Sequence, residues 1–358
     1  MTVMKRFFIG VLFVTGLLLL GKYSLSVSNT ISGDEMIHFY NWGDYIDPEI
    51  LDDFESESGY SVIYETFDSN EAMLTKVRQG GTSYDVIVPS EYMVETMIED
   101  DLLLPLNHDL LPNVKHIDPQ FIDMVYDPKN MYSIPYFWGT LGIVYNVKEL
   151  GELTFDSWGE LWNPNYGNEI LMIDGAREVL GIGLQTLGYS LNDKNEAHLI
   201  EATKKMKSLM PNIKGLVTDE MKMHLTNGEA LIGVTYSGEA VVAMEMNEDL
   251  EYVVPKEGSN IWTDNLSIPK GADNIEGAHA LIDFLSRPEI AARNAEYIGY
   301  ATPNETALGL LDEEIINDSS NYPTDEVIEN LEFYESLGKS TLVRYNDLYL
   351  EIKIEPRD

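Results

Sequence analysis

Beyond Gly33, short apolar runs alternate with segments whose apolar residues recur at helical spacing. That alternation confines the chain to α/β architectures. Met36 to Tyr40 reads as a first strand. Asp47-Pro48 opens a helix with proline at its first position, Ile50, Leu51 and Phe54 on one face, and Gly59 as its stop. Val62 to Tyr64 gives a second strand. Asn70 caps a helix carrying Met73, Leu74 and Val77 that ends at Gly80-Gly81, and Asp85 to Val88 makes a third strand. The order is βαβαβ. Leu141 to Tyr145, Ile170 to Ile173, Ala230 to Thr235, Tyr252 to Val254 and Leu266 to Ile268 are further buried-strand candidates. Near the carboxyl end, 321–324 reads as a loop and Asp325 to Leu337 as a helix that presents Tyr334 to a cleft. At roughly 150 residues per domain, a chain of 358 residues divides into two.

Composition narrows the function. Asp and Glu number 61 against 23 Lys and Arg, a formal charge of −38, which excludes nucleic acid as a partner because phosphates need an excess of cations. Hydrophobic residues at 44% exclude wholesale disorder beside that charge. The acid therefore decorates a folded body, either for solubility or toward a cationic ligand. There is no cysteine, which removes disulfides, thiolate nucleophiles, iron–sulfur clusters and cysteine-ligated zinc. The six histidines are scattered without metal-binding spacing, and neither a metal nor a cofactor is expected.

Lys5 and Arg6 precede Phe7 to Gly21, fifteen uncharged residues closed by Lys22. Residues 1–33 thus read as a signal peptide, with Ser26-Val27-Ser28 as a cleavage site, or as an uncleaved hydrophobic helix anchored in the membrane. In the second case snorkelling of Lys22 lets the short run approach the ~30 Å of a bilayer core. Lipoprotein anchoring is excluded without a cysteine. Positive charge ahead of the apolar run keeps the amino terminus inside, so residues from 34 onward are expected outside the cytoplasm.

Ligands of open α/β sheets bind beyond the carboxyl ends of the strands, and aromatic and acidic residues gather there. The first strand runs into Tyr40-Asn41-Trp42-Gly43-Asp44-Tyr45 and the third into Pro89-Ser90-Glu91-Tyr92. Asp174-Gly175-Ala176-Arg177-Glu178 and Tyr236-Ser237-Gly238-Glu239 follow two further strands, and Ile261-Trp262-Thr263-Asp264 follows Tyr252 to Val254. Rings and carboxylates with almost no Lys or Arg make a site for an organic cation. Several carboxylates around one small cavity repel each other unless the ligand brings comparable positive charge, which favours a polyvalent amine whose methylene spacers lie along the rings.

Each residue also has a plainer role open to it. Trp42 and Trp262 fit a core, Asp44 and Asp264 fit turns or helix caps, Asp174 fits a cap of the following helix, Arg177 fits an ion pair, and Glu178 fits a solvated helix face. Tyr45, Tyr92, Tyr236 and Tyr300 are individually weak signals; their joint occurrence is the signal. Two rival functions stand beside an amine-binding one. One is a cell-surface glycan hydrolase with Glu178 and Asp264 as acid and base, although the chain has no Gly-x-Ser-x-Gly elbow. The other is a binding protein for a different organic cation.

Tyr40-Asn41-Trp42, Asp68-Ser69-Asn70-Glu71, Tyr84 to Ser90, Ser133 to Gly139, Asp174 to Glu178 and Ile298 to Asn304, taken in order, closely resemble the spermidine/putrescine-binding proteins of bacterial polyamine ABC importers. The resemblance spans residues 34 to about 345. It implies a two-lobed, type II periplasmic-binding-protein fold, each lobe a mixed sheet flanked by helices. It assigns 34–140 and 265–308 to lobe one, and 141–264 and 309–358, with a helical tail, to lobe two. It implies no enzymatic activity, a polyamine as ligand and permease subunits as partners. The family's ligand contacts fall on Trp42, Tyr45, Ser90, Tyr92, Glu178, Tyr236, Trp262, Asp264 and Tyr300. Asp264 then grips an amine near the middle of the ligand, Glu178 sits toward one end, and Trp262 lines the chain. Gly43, Tyr236 and Tyr334 depart from residues common in the family. So does Gly175, where an acid can meet a terminal amine, and Asp174 or Asp44 are the candidates to compensate. With no histidine in the site, affinity is expected to be flat between about pH 6 and 8.

Overall fold

A computed structural model of the protein describes residues 35–151, 155–217 and 220–356. The apolar amino-terminal run read as a signal or anchor helix lies outside the described residues. No helix among those described is long and apolar enough to cross a membrane.

The βαβαβ order at the amino end consists of β1 (Met36–Trp42), α1 (Pro48–Ser58), β2 (Ser61–Phe67), α2 (Asn70–Gln79) and β3 (Val86–Ile87), followed by α3 (Glu91–Glu99). Asp47 caps α1 by accepting the Glu49 N–H at 3.0 Å, and Gly59, at φ 79°, closes it in the left-handed conformation that glycine adopts without strain. The cap of α2 is Ser69, whose hydroxyl accepts the Ala72 N–H at 3.2 Å, and not Asn70. Asn70 begins the helix and turns its buried amide inward to Ser90. β1 lies between β2 and β3, parallel to both.

The next strand organises the molecule. β4 (Ser133–Asn146) is fourteen residues long and buried throughout. Sequence patterning finds only its second half, because Pro135 interrupts the first, and the register indeed shifts between Pro135 and Phe137. Further on come β5 (Ile170–Ile173), α4 (Ala176–Thr186), α5 (Glu196–Lys207), β6 (Ile213–Val217), β7 (Ile232–Tyr236), α6 (Ser237–Met246), β8 (Leu250–Val253) and β9 (Ile261–Ser267). The chain finishes through α7 (Ile275–Leu285), α8 (Pro288–Ile298) and α9 (Lys339–Lys353).

β4 belongs to two sheets. From Ser133 to Thr140 it pairs antiparallel with β9, and from Leu141 onward with β7 and β8. The strand order is β2-β1-β3-β9-β4-β7-β5-β6, with β8 also on β4. Both halves mix parallel and antiparallel pairs. Each half has its own core. Phe39, Ile50, Phe54, Phe137, Leu281 and Phe284 pack in the first, and Trp158, Ile182, Leu184, Ile232, Tyr345 and Ile352 in the second. The architecture is therefore two-lobed.

The carboxyl segment departs from expectation. Its helix is confined to Asp325–Ile328, and from Glu332 the chain is extended, with Glu332 bridging to Asn260. Leu331 and Phe333 pack on the first core while Tyr334 lines the cavity between the lobes, the two-residue alternation of an extended chain. Leu311 packs with Ala292 and Ala307, and Tyr322 lies against both the cluster they form and the first core. Leu331 and Phe333 thus pack with the first core and Leu311 with the small cluster beside it, whereas Tyr345, Leu348 and Ile352 of α9 pack in the second core.

Trp158 is fully buried, and its indole N–H donates to the Gly258 carbonyl at 2.9 Å. Trp158→Ala should lower stability by about 3–5 kcal/mol in denaturant unfolding. A loss below ~1 kcal/mol would contradict its place in that core.

Candidate functional site

All ten residues picked out from the sequence, Trp42, Asp44, Tyr45, Ser90, Tyr92, Glu178, Tyr236, Trp262, Asp264 and Tyr300, line one cavity of about 620 Å³ between the lobes. Trp42 ends β1 and is fixed by its indole N–H donating to the Val88 carbonyl at 2.9 Å. Asp44 sits on the exposed turn that follows, at φ 47°. Ser90 caps α3, and Tyr92 projects from its first turn toward Glu71, 3.3 Å away. Tyr236 closes β7 and donates to Glu178 at 3.0 Å. Trp262 and Asp264 lie inside β9, and not in a loop after Tyr252 to Val254. The sheet itself therefore delivers them to the cleft. Tyr300 follows α8 and meets Gly238, where a Cβ would come within 2.4 Å of its ring. Tyr45, Tyr300, Trp262 and Tyr236 form a run of edge-on rings with centroids 5.1 to 5.9 Å apart.

The backbone around the cavity favours anions. α2, α3, α4 and α6 all point their amino ends at it, and helix amino ends carry positive partial charge. The side chains reverse that sign: each of these helices has a glutamate in its first turn, Glu71, Glu91, Glu178 and Glu239, and all four line the cavity. Arg177 is the single Lys or Arg among the lining residues.

Asp264 is the centre of the site. It is buried, with 5% of its surface exposed, and its two oxygens accept the hydroxyls of Tyr45 at 2.8 Å and Ser90 at 2.6 Å. Asn265 N–H to the Pro89 carbonyl at 2.9 Å brings Ser90 alongside. Both partners are neutral, so burial dominates and pushes the Asp264 carboxyl up to about 7, although the two hydroxyls pull it down. Burial likewise raises Glu178, against the Tyr236 hydroxyl and the nearby Arg177.

Several neighbours take roles the sequence left open. Asp174 does not cap α4; Lys353 and Tyr349 bind it, and together they outweigh burial and hold it below the ordinary carboxylate range. Its charge is thus matched within the protein. Gly175 is the cap residue, and Glu178 folds over it so closely that a Cβ would meet Oε2 at 1.9 Å. Arg177 forms no salt bridge among the described residues. It stacks over Tyr334 at 4.2 Å and donates to the Glu335 carbonyl and to Asn192. Glu91, which sequence reading passed over, is fully buried and raised by burial to about 8. Its position at the start of α3, directly after a cleft serine, was the available signal.

A family model for bacterial extracellular solute-binding proteins matches residues 49–324. The spermidine/putrescine-binding periplasmic protein of Salmonella typhimurium is 38% identical over 339 residues, 94% of this chain and 97% of the relative. The putrescine-binding periplasmic protein of Escherichia coli is 30% identical, covering 88% of this chain and 90% of its own length. Among solved structures, the spermidine/putrescine ABC transporter substrate-binding protein of Streptococcus pneumoniae aligns with a TM-score of 0.81 at 50% identity, over 90% of this chain and 100% of that one. The two-lobed fold is accordingly of the type II periplasmic-binding-protein kind.

The expectation of pH-independence counts histidines alone, and Asp264, raised by burial to about 7, is a further titrating group in that window. An unfolded Asp ionises near 3.9, whereas the native one holds its proton to about 7. The stability this group contributes is therefore full below about pH 4 and lost as pH rises through 7. Ligand-free protein should unfold at a lower temperature at pH 8 than at pH 5, with a shallower slope in Asp264→Asn. Identical slopes for the two proteins would contradict a raised Asp264.

Proposed function

The chain belongs to the bacterial extracellular solute-binding proteins, and we propose that it captures a polyamine, spermidine or putrescine, outside the cytoplasm and delivers it to the permease of an ABC importer. The carrying observation is Asp264, a buried carboxylate bonded by neutral hydroxyls and set among aromatic rings. Such a group gains most from a ligand that brings the counter-charge. One ammonium of the ligand lies on Asp264 and another on Glu178. The spacers run along Trp262, Tyr236 and Tyr300, each buried CH₂ adding roughly 0.8 kcal/mol. A quaternary amine has no N–H to donate to either carboxylate, so the pair favours a primary or secondary amine.

The relatives' names support this reading, being those of periplasmic proteins that bind spermidine or putrescine. We divide the chain into lobe one, residues 34–140 and 265–308 together with the stretch to about 333, and lobe two, residues 141–264 and the α9 tail. Tyr45 and Ser90 stand in the first lobe, Glu178 and Tyr236 in the second, and Asp264 at their boundary, bonded to Tyr45 and Ser90, so a ligand touching both lobes favours the closed state. Closure signals the permease, and the protein binds and releases its ligand without altering it. With Asp174 held by Lys353, Asp44 at the rim is the remaining acid to compensate for Gly175. The apolar leader, where it is retained, ties the protein to the membrane.

Calorimetric titration of spermidine and putrescine tests the reading. Asp264→Asn should weaken spermidine binding by at least ~2 kcal/mol, about thirtyfold. Wild-type affinity should rise between pH 6 and 8 as Asp264 ionises, and the rise should be smaller in the variant. An unchanged affinity in Asp264→Asn would remove Asp264 from the site, and a chain that binds glycans but no amine would overturn the proposal.

A further inference from the structure

Two carboxylates of α3 act on the backbone beside the cleft. Glu91 is fully buried and Glu95, one helical turn on, is half-buried. Glu91 Oε1 accepts the Tyr334 N–H at 3.2 Å, and Glu95 Oε2 accepts the Ser336 N–H at 2.8 Å. In an extended chain the N–H groups of alternate residues point to one side, ~6.6 Å apart, and helix positions i and i+4 share a face with a rise of ~6 Å. The spacings match, so the helix face substitutes for a neighbouring strand.

The opposite edge of the same segment is held by the second lobe. Asn192 donates to the Phe333 carbonyl at 2.8 Å and accepts the Glu335 N–H at 2.9 Å. Arg177 donates to the Glu335 carbonyl at 3.1 Å and Lys194 to that of Ser336 at 3.0 Å. Residues 333–336 therefore lie between α3 of one lobe and the α4–α5 region of the other, with every bond made by a side chain. Glu91 also reaches β9, where its Oε2 accepts the Thr263 N–H at 3.0 Å, between Trp262 and Asp264.

We propose that Glu91 and Glu95 are positioning residues for ligand binding, which fix the 333–336 connection and hence the Tyr334 ring against lobe one when the cleft is closed. The proposal rests on the polyamine reading of the cleft. Tyr334 lines the cavity, stacks on Arg177, and meets the Tyr92 ring edge-on at 6.2 Å. Glutamine at position 91, where both oxygens accept backbone N–H groups, must set its amide N–H against one of them, whereas at position 95, where a single oxygen accepts, alanine is the change that removes the acceptor and frees the segment. Glu95 does not line the cavity, so any effect it has on affinity must pass through the segment it holds.

A double-mutant cycle read by calorimetric titration of spermidine into the full chain tests this. Glu91→Gln should weaken binding about tenfold and Glu95→Ala about threefold, and both losses should fall below roughly twofold in a Tyr334→Ala background. A residue that served only stability would give losses that multiply unchanged with Tyr334→Ala. Such additivity, or full affinity in both single variants, overturns the positioning role while leaving the polyamine reading in place. If Glu91→Gln fails to fold by circular dichroism, the Glu95→Ala arm decides alone. A wild-type chain that does not bind spermidine overturns the polyamine reading, and this proposal with it.

Discussion

The structure depends on a reversal of electrostatic sign. A cleft at the carboxyl ends of parallel strands collects helix amino termini, and these attract anions. Here the same geometry is turned toward a cation by one glutamate in the first turn of each of α2, α3, α4 and α6. These glutamates are doubly placed: the helix end stabilises the carboxylate, and the carboxylate outweighs the half charge beneath it. Asp264 adds a further acid from the sheet. It and Glu91 are both raised well above the ordinary carboxylate range, burial being the largest cause for each.

The route by which Asp264 reaches the cleft places the acid proposed to bind the ligand at the connection between the two halves. β4 and β9 run side by side up to the junction between the sheets, so the strand carrying Trp262 and Asp264 is also part of the connection between lobes. In the proposed function, a ligand held by Asp264 is held by the segment that joins the lobes. The aromatic run from Tyr45 through Tyr300 and Trp262 to Tyr236 crosses the same boundary, and the absence of a side chain at Gly238 lets Tyr300 approach the second lobe.

Much of this was legible in the chain. Alternating apolar runs gave the strand positions because buried strands need little else, and Asp47-Pro48 and Gly59 mark a helix by mechanisms local to those residues. Most of the cleft residues were visible because they cluster after apolar runs, whereas Trp262 and Asp264 lie within β9 and Tyr300 follows a helix. What was not legible depends on partners far away in sequence. The first half of β4 is hidden by Pro135, which the fold accommodates with a register shift against β9. Asn70 looks like a helix cap, yet Ser69 takes that role once Ser90, twenty residues on, claims the Asn70 amide. Asp174 looks available to a ligand until α9 brings Lys353 to it. The segment around Tyr334 has helical composition but is drawn into extended form by side chains of both lobes. Glu91 carries no pattern of its own; its meaning lies in the backbone groups it meets.

A crystal structure of the protein grown with spermidine tests the central claim most directly. The account predicts a chain of density along Trp262, Tyr236 and Tyr300 with one nitrogen within about 3 Å of an Asp264 oxygen and another equally close to Glu178. Spermidine absent from this cleft at saturating concentration, or bound with only methylenes facing both carboxylates, would contradict it.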